Sequence, residues 1–497
     1  MSAIDWVIVA AYAAIMVFIG VAASRKQSDT DEYFKGSKQL PWWAIGFSII
    51  ATSFSGAALL GGAGEGYNNG LLYLQLQAGD LIGYGLVIAL FLPFFVGLNL
   101  TTAYEYLERR FDSKTRSFGA LCFLLFVVAR LGGLLYAAAI AVSKVIAIPL
   151  PAAIFLVALV SIAYTVAGGI AAVVWTDVLQ FFMVFVGLAA GVWAASTGVP
   201  GGLGELWSTA AAAGKFTAVD LSVNPENIRT LPTAMLAYGM LAFAVAGTNQ
   251  QSVQRYVSCA DVASGRKAIL LGWASGLVGV GATLLFGTLL FSFYSINPGL
   301  PEEIVGDAIL PYFIVNSVPA GAAGLLVAAI FAAAMSSIDS ALHALATCIT
   351  VDFYERYSRE PIDPVRSLKV AQGLIVFWGI VGIAAAFYAA STEENLLPFL
   401  IKYVTLSLGP LLGLFLMGVL IPRVNANGAF YGTVLAALVL IALTASGSLG
   451  LPGFWGSALT APLSVLFGVI LSLLGPVPAA RSIKGLTLWS KAETPSA

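Results

Sequence analysis

An apolar run from Val318 to Ile349 carries Ser336, Ser337, Asp339 and Ser340 in its interior. The run is long enough to cross a bilayer, which needs about 20 residues at about 1.5 Å each. A carboxylate at membrane depth is costly unless something positive balances it, so it reads as a functional group. Hydroxyls, a carboxylate and freed backbone carbonyls are hard oxygen ligands, and such ligands suit a hard cation. The chemistry on offer is the binding of a small hard ion, sodium first, inside a membrane.

A second segment points the same way. Ala51-Thr52-Ser53-Phe54-Ser55-Gly56 leads into Gly61-Gly62-Ala63-Gly64, a poor composition for a continuous helix. An interrupted helix exposes carbonyls that bind cations where they line a cavity. Close helix packing is the alternative reading of the glycines. Other polar groups interrupt the apolar runs at Gln77, Asp80, Arg130, Asp177 and Lys402. Arg130 can hold an anionic ligand with its planar fork, or it can pair with Asp80 across neighbouring helices. Lys402 can snorkel to the interface, act at an outer gate or meet an anion.

The elements that must position these groups are membrane helices. The chain is 59% hydrophobic and 10% charged, with a mean hydropathy of +0.91. That balance excludes a soluble domain, and the net charge of −1 excludes a nucleic-acid surface. Cys122, Cys259 and Cys348 sit in or beside apolar runs and form neither a disulfide framework nor a metal spacing. The periodicity predicts an all-α membrane protein of about thirteen spans: 4–23, 41–62, 70–98, 117–147, 150–167, 170–197, 232–251, 267–295, 319–349, 367–390, 395–421, 429–446 and 455–475. The first run follows Asp5 and precedes Arg25-Lys26, the reverse of a cleavable signal. The longest polar segments are the loop 198–231 and the tail 476–497, and no soluble domain is expected.

Basic residues set the expected orientation. With the N-terminus outside and the C-terminus cytoplasmic, the inner loops hold Arg25 to Lys38, Arg109 to Arg116, Arg255 to Lys267, Arg356 to Lys369, Arg423 and the tail cations. Outer segments then keep Lys144, Lys215 and Arg229, as the positive-inside rule requires of a multi-pass plasma-membrane protein. Counting residues from the inner ends, Asp177 and Ser340 fall at similar depth, roughly 12 and 15 Å in. Ala51 to Phe54, Ser336-Ser337 and Arg130 lie nearer the midplane, and Gln77 and Asp80 approach it from outside.

Four passages resemble the sodium/solute symporter family. They are Ala51 to Ser55, the inner-loop run Thr102 to Phe111, Ala167-Gly168-Gly169-Ile170 with Val174 to Gln180, and Ala332 to Ser340. Gln254-Arg255-Tyr256 fits as well. Within the family the likeness is to the bacterial sialic acid symporters. The resemblance implies two inverted five-helix repeats with interrupted first helices. The expected division is 1–40 (first helix and inner loop), 41–197 (first repeat), 198–231 (outer loop), 232–421 (second repeat), 422–475 (two further helices) and 476–497 (tail). It also implies a sodium site of the Ala51, Phe54 and Ala333 carbonyls with the Ser336 and Ser337 hydroxyls. A second cation site would use Asp177, Ser336, Asp339 and Ser340. Those symporters carry serine where this chain has Asp339; two carboxylates there bind a cation more strongly or share a proton. Asp339 can instead serve as a structural group, with His343, four residues on, as its partner or as a core histidine.

The same resemblance places Ser53, Ser55, Tyr73, Gln77, Arg130 and Tyr238 around the solute. Ala58 replaces a threonine of that pocket, and Ile401 stands where sugar carriers of the family show Gln. The implied function is a sodium-coupled secondary active symporter that imports a small organic solute by alternating access. A carboxylate such as a sialic acid is the first candidate, and a neutral sugar, polyol or zwitterionic amino acid is the alternative. One or two sodium ions are the coupling ions, with the lipid bilayer as surroundings, no other cofactor and no obligate protein partner. An enzyme is not expected, because Ser336, Ser340 and the single histidine, His343, share one helix. A channel is the other different-class alternative.

Overall fold

The structure, a computed structural model, describes residues 2–24, 30–360, 362–391, 396–446 and 450–490, without the side chains of 23, 24, 30, 31, 141, 144, 145 and 396–406. Lys144, Ile401 and Lys402 therefore lie outside the described side chains, and Arg25, Lys26 and Lys491 outside the described residues. Among the described residues every regular element is a helix. The principal ones are α1 (Ala3–Ser24), α2 (Trp42–Ser53), α3 (Gly56–Asn69), α4 (Leu76–Leu86), α5 (Ala103–Arg110), α6 (Ser113–Ile146), α7 (Leu150–Thr197), α8 (Gly239–Thr248), α9 (Gln250–Val257), α10 (Val262–Ile296), α11 (Ala322–Cys348), α12 (Pro364–Ser391), α13 (Leu396–Leu420), α14 (Ala426–Ala445) and α15 (Gly456–Leu473).

Among the described residues ten helical segments are long and apolar enough to cross a membrane, and the pair α2 and α3, bent by 69°, brings the number to eleven. The difference from thirteen has two sources. The expected spans 150–167 and 170–197 form the single segment Leu150–Thr197, broken only by the backbone of Gly169 (φ 55°, ψ −159°). The expected span 395–421 is α13, whose described side chains begin at Ser407.

The breaks occur where the sequence cannot sustain a helix. α2 ends at Ser53, and Phe54 takes φ −89°, ψ 81°. Ser55 then caps α3, its Oγ accepting from Ala58 N at 3.2 Å. A second break separates α8 from α9 at Asn249 (φ −78°, ψ 122°), whose Oδ1 accepts from Gln251 N at 3.0 Å. Three π-helical turns, Val87–Phe91, Ala234–Tyr238 and Ile349–Glu355, loosen other helices.

The centre of the fold is α11, in which every residue from Leu326 to Cys348 is buried. It packs chiefly against α7, and a helix without a lipid face can carry polar groups that a peripheral one cannot. Large apolar side chains instead stay exposed on outer helices, as at Phe18, Leu125, Leu159 and Ile380. These positions suit contact with lipid.

Gly169 sits in a backbone region essentially reserved for glycine. Gly169→Ala is expected to cost about 1–3 kcal/mol and to lower the thermal unfolding midpoint of the detergent-solubilised protein. A midpoint equal to that of the parent protein would contradict the break.

Candidate ion and solute site

The hydroxyls of α11 meet the broken end of α2. Ser336 Oγ donates to Ala51 O at 2.8 Å and lies 3.0 Å from Ala333 O, within its own helix. Ser337 Oγ donates to Thr52 O at 2.9 Å. Ala51, Phe54, Ala333 and Ser336 also line one small cavity with Gln180, Phe181 and Gly279. Four of the five residues expected to bind sodium thus border a single cavity, and the fifth, Ser337, is bonded to the adjoining carbonyl of the same broken helix. Their carbonyl and hydroxyl oxygens are of the hard type that a sodium ion takes as ligands.

The four residues of the expected second cation site are also together, and the structure adds a cation of its own. Arg255, on α9, is buried at the centre of the group. Its Nη2 donates to Asp177 Oδ2 at 2.8 Å and to Ser340 Oγ at 2.6 Å. Its Nε donates to Ser48 Oγ at 2.7 Å and its Nη1 to Gln251 O at 2.7 Å. Ser48 in turn donates to Asp177 Oδ2 at 2.5 Å, and Thr52 Oγ1 lies 3.0 Å from Ser340 Oγ. α2, α7, α9 and α11 are therefore joined through one guanidinium.

Asp339 has a different environment. Tyr164 OH donates to its Oδ2 at 2.8 Å, and Ser340 N donates to Oδ1 at 2.5 Å. No ion pair holds Asp339 among the described residues. The expected partner His343 turns elsewhere: its Nε2 contacts Tyr33 O at 3.2 Å and its Nδ1 has no partner. Of the two readings of His343, partner of Asp339 or hydrogen-bonded core histidine, the structure shows the core histidine. Its ring packs tilted against Tyr33 and edge-on to Phe34.

Arg255 was missed as a site residue because it follows a span and counts there as an inner-loop cation. In sequence it resembles other lone loop cations such as Arg356 and Arg423, and its burial among Gln250, Gln251, Val253, Gln254 and Tyr256 is visible only in the structure. Ser48, Thr52, Tyr164 and Gln251 were missed because their contacts to Asp177, Ser340, Asp339 and Arg255 arise only from the packing of separate helices.

The solute residues form a looser group. Ser53 is exposed at the end of α2, Ser55 caps α3, and Gln77 and Asp80 lie on α4. Gln77 Nε2 donates to Asp80 Oδ2 at 2.9 Å, while Trp273 Nε1 donates to Gln77 O at 2.9 Å. Gly79 lets α4 touch the π-turn ending at Tyr238, since a Cβ there would stand 2.3 Å from Ala234 O. Tyr73, Tyr84 and Tyr238 all lie within electrostatic reach of Asp80. Arg130 is half-buried on α6, and its one hydrogen bond among the described residues is a long one, Nη1 to Gln251 Oε1 at 3.4 Å. The expected alternative of an Arg130–Asp80 ion pair is absent among the described residues. Asp80 is held by Gln77, and Arg130 points to α9.

Comparison with known proteins gives this arrangement its context. Residues 33–436 match the model of the sodium:solute symporter family. The sodium/sialic acid symporter NanT of Aliivibrio fischeri is 34% identical over 435 residues, covering 87% of this chain and 86% of the relative. SiaT of Proteus mirabilis, also a sodium/sialic acid symporter, is 32% identical over 443 residues, with 88% and 89% covered. A solved sodium-coupled sialic acid symporter, in a substrate-bound outward-open state with a novel sodium site, superposes with a TM-score of 0.87 at 30% identity, covering 96% of this chain and 99% of that one. The nucleobase-cation symporter Mhp1, at 15% identity and a TM-score of 0.59, shares the fold. The chain belongs to the sodium:solute symporter family. It is a multi-pass membrane symporter, and sodium is its coupling ion.

The guanidinium junction generates a test. Arg255→Gln should leave Asp177 buried without its cation, at a cost of about 3–5 kcal/mol. The double change with Asp177→Asn should recover much of that loss, because two contacting groups do not act additively. Equal unfolding midpoints for single and double variants would contradict the pairing.

Proposed function

We propose that the protein imports a small organic acid with sodium, a sialic acid being the first candidate. The observation that carries this reading is the junction of Ser336 and Ser337 with the Ala51 and Thr52 carbonyls, together with a guanidinium, Arg130, that has no ion-pair partner among the described residues. The first supplies a sodium site and the second an anion site. The similarity to NanT and SiaT supports the sialic acid assignment.

In this reading the sodium ion is held by the carbonyls of Ala51, Phe54 and Ala333 and the hydroxyls of Ser336 and Ser337. The solute is held by Ser53, Ser55, Tyr73, Gln77, Arg130 and Tyr238. A second cation, sodium or a proton, acts at Asp177, Ser336, Asp339 and Ser340. Arg255 balances one carboxylate of that group, so the cation answers to Asp339. Counting α13 and both halves of α7 as spans makes thirteen. Breaks at Phe54 and Asn249, each in the first helix of a five-helix set, support inverted repeats over 41–197 and 232–421. They leave 1–40, 198–231, 422–475 and 476–497 as flanking segments, with the N-terminus outside and the C-terminus in the cytoplasm. The membrane is then the plasma membrane, the inner one in a bacterium. The activity in this reading is transport, as in the symporters the chain resembles.

Three outcomes are expected. Uptake into proteoliposomes should require sodium and fail in choline chloride, and Ser337→Ala should raise the sodium concentration for half-maximal uptake with little change in unfolding midpoint. Sodium-independent uptake would remove the ion assignment. Arg130→Lys should abolish tight sialic acid binding while sodium still stabilises the protein, since an ammonium cannot reproduce the bidentate fork. Saturable uptake of a neutral sugar that no carboxylate competes with would overturn the solute assignment. Asp339→Asn should lower the Hill coefficient for sodium or remove a pH dependence of uptake, and an unchanged profile in both would return Asp339 to a structural role.

A further inference from the structure

We propose that Asp80 is a specificity-determining residue that takes a protonated amine of the cargo, so that the preferred solute is an acid that also bears an ammonium group. The inference rests on the reading above in one respect, the carboxylate on Arg130.

Asp80 is a half-buried carboxylate on a membrane-spanning segment. Such a group is costly unless paired. The pairing expected from the sequence, with Arg130, is not made, and among the described residues no ion pair involves Asp80. Its one hydrogen bond comes from a neutral donor, the Gln77 amide, to Oδ2. The groups around it are uncharged as well: Tyr73, Tyr84 and Tyr238, with Ser53 beside Tyr84. Asp80 keeps part of its surface exposed.

Three of these neighbours, Ser53, Gln77 and Tyr238, belong to the proposed solute pocket, and Tyr73 makes a fourth. Their hydroxyls and amide can hold neutral parts of a ligand, whereas a carboxylate with no cation adds a demand for positive charge. The structure brings Asp80 there deliberately in one sense: only glycine at position 79 allows α4 to lie against the turn that carries Tyr238. Arg130 and Asp80 are thus separate poles, one positive and one negative, each without an ion-pair partner among the described residues. A zwitterion satisfies both, and a charge-assisted hydrogen bond to the ammonium is stronger than one to a neutral amide or hydroxyl.

The test uses purified full-length protein in sodium, with ligand affinities measured by isothermal titration. The probes are a sialic acid with its N-acyl group, the corresponding free-amine acid and an amino sugar lacking the carboxylate. The parent protein should bind the free-amine acid about tenfold more tightly than the N-acyl acid, the scale of one charge-assisted hydrogen bond. Asp80→Asn should erase that difference, and Asp80→Ser should do the same where the amide variant fails to fold; retained sodium stabilisation certifies each variant. Arg130→Lys should weaken both acids and keep the gap between them. If the amino sugar binds as well as the free-amine acid and loses that affinity in Asp80→Asn, Asp80 stands and the carboxylate reading falls. A parent protein with no preference for the amine, a preference that survives both Asp80 variants, or no binding of any of the three probes overturns the proposal.

Discussion

The structure depends on the treatment of backbone carbonyls at an interrupted helix. Inside a membrane a carbonyl without a partner costs several kcal/mol, so a helix breaks only where something replaces the lost bonds. At Ala51 and Thr52 the replacement is the pair of hydroxyls on α11. Those bonds tie α2 to the most buried helix of the molecule. A cation entering between the same oxygens would take over part of that satisfaction, which is how ion occupancy can alter the fit of two helices. The small residues Ala332 to Ala334 and Gly56 let the helices approach; a Cβ at Gly56 would stand 3.1 Å from Ala334 Cβ.

A second constraint is charge. Asp177 and Arg255 neutralise each other within a network reaching Ser48, Gln251 and Ser340, so four helices share one ion pair. A buried pair of this kind adds little net stability against an apolar core, but it fixes geometry, since breaking one side leaves a buried charge. The junction adjoins the proposed sodium site directly: Ser340 Oγ also donates to Ser336 O at 2.7 Å. Asp339 stands one residue away with only neutral donors around it. Ion and structural charge are thus arranged along a single turn of α11.

Much of this was legible in the sequence because membranes restrict the possibilities. Apolar runs gave the helices, and the hydroxyls at Ser336, Ser337 and Ser340 stood out because polar groups at that depth need a reason. Asp177 and Ser340, at similar depths by residue count, meet through Arg255. The break expected between 167 and 170 is made by Gly169, whose backbone leaves the helical region between the two halves of α7. The role of Arg255 was hidden because charge alone does not separate a loop cation from a buried one. The Arg130–Asp80 alternative failed for a related reason: sequence gives the depth of a residue but not the direction in which its helix turns it.

The central claim is that ion and solute binding meet at the break between α2 and α3. It is tested most directly by titrating the purified protein with a sialic acid at several fixed sodium concentrations, and with sodium at several fixed sialic acid concentrations. Linkage requires each ligand to tighten the other by the same factor. The account predicts that solute affinity rises with sodium and that sodium affinity rises reciprocally, with both effects lost in the double variant Ser336→Ala/Ser337→Ala. Solute affinity that is the same with and without sodium would contradict it.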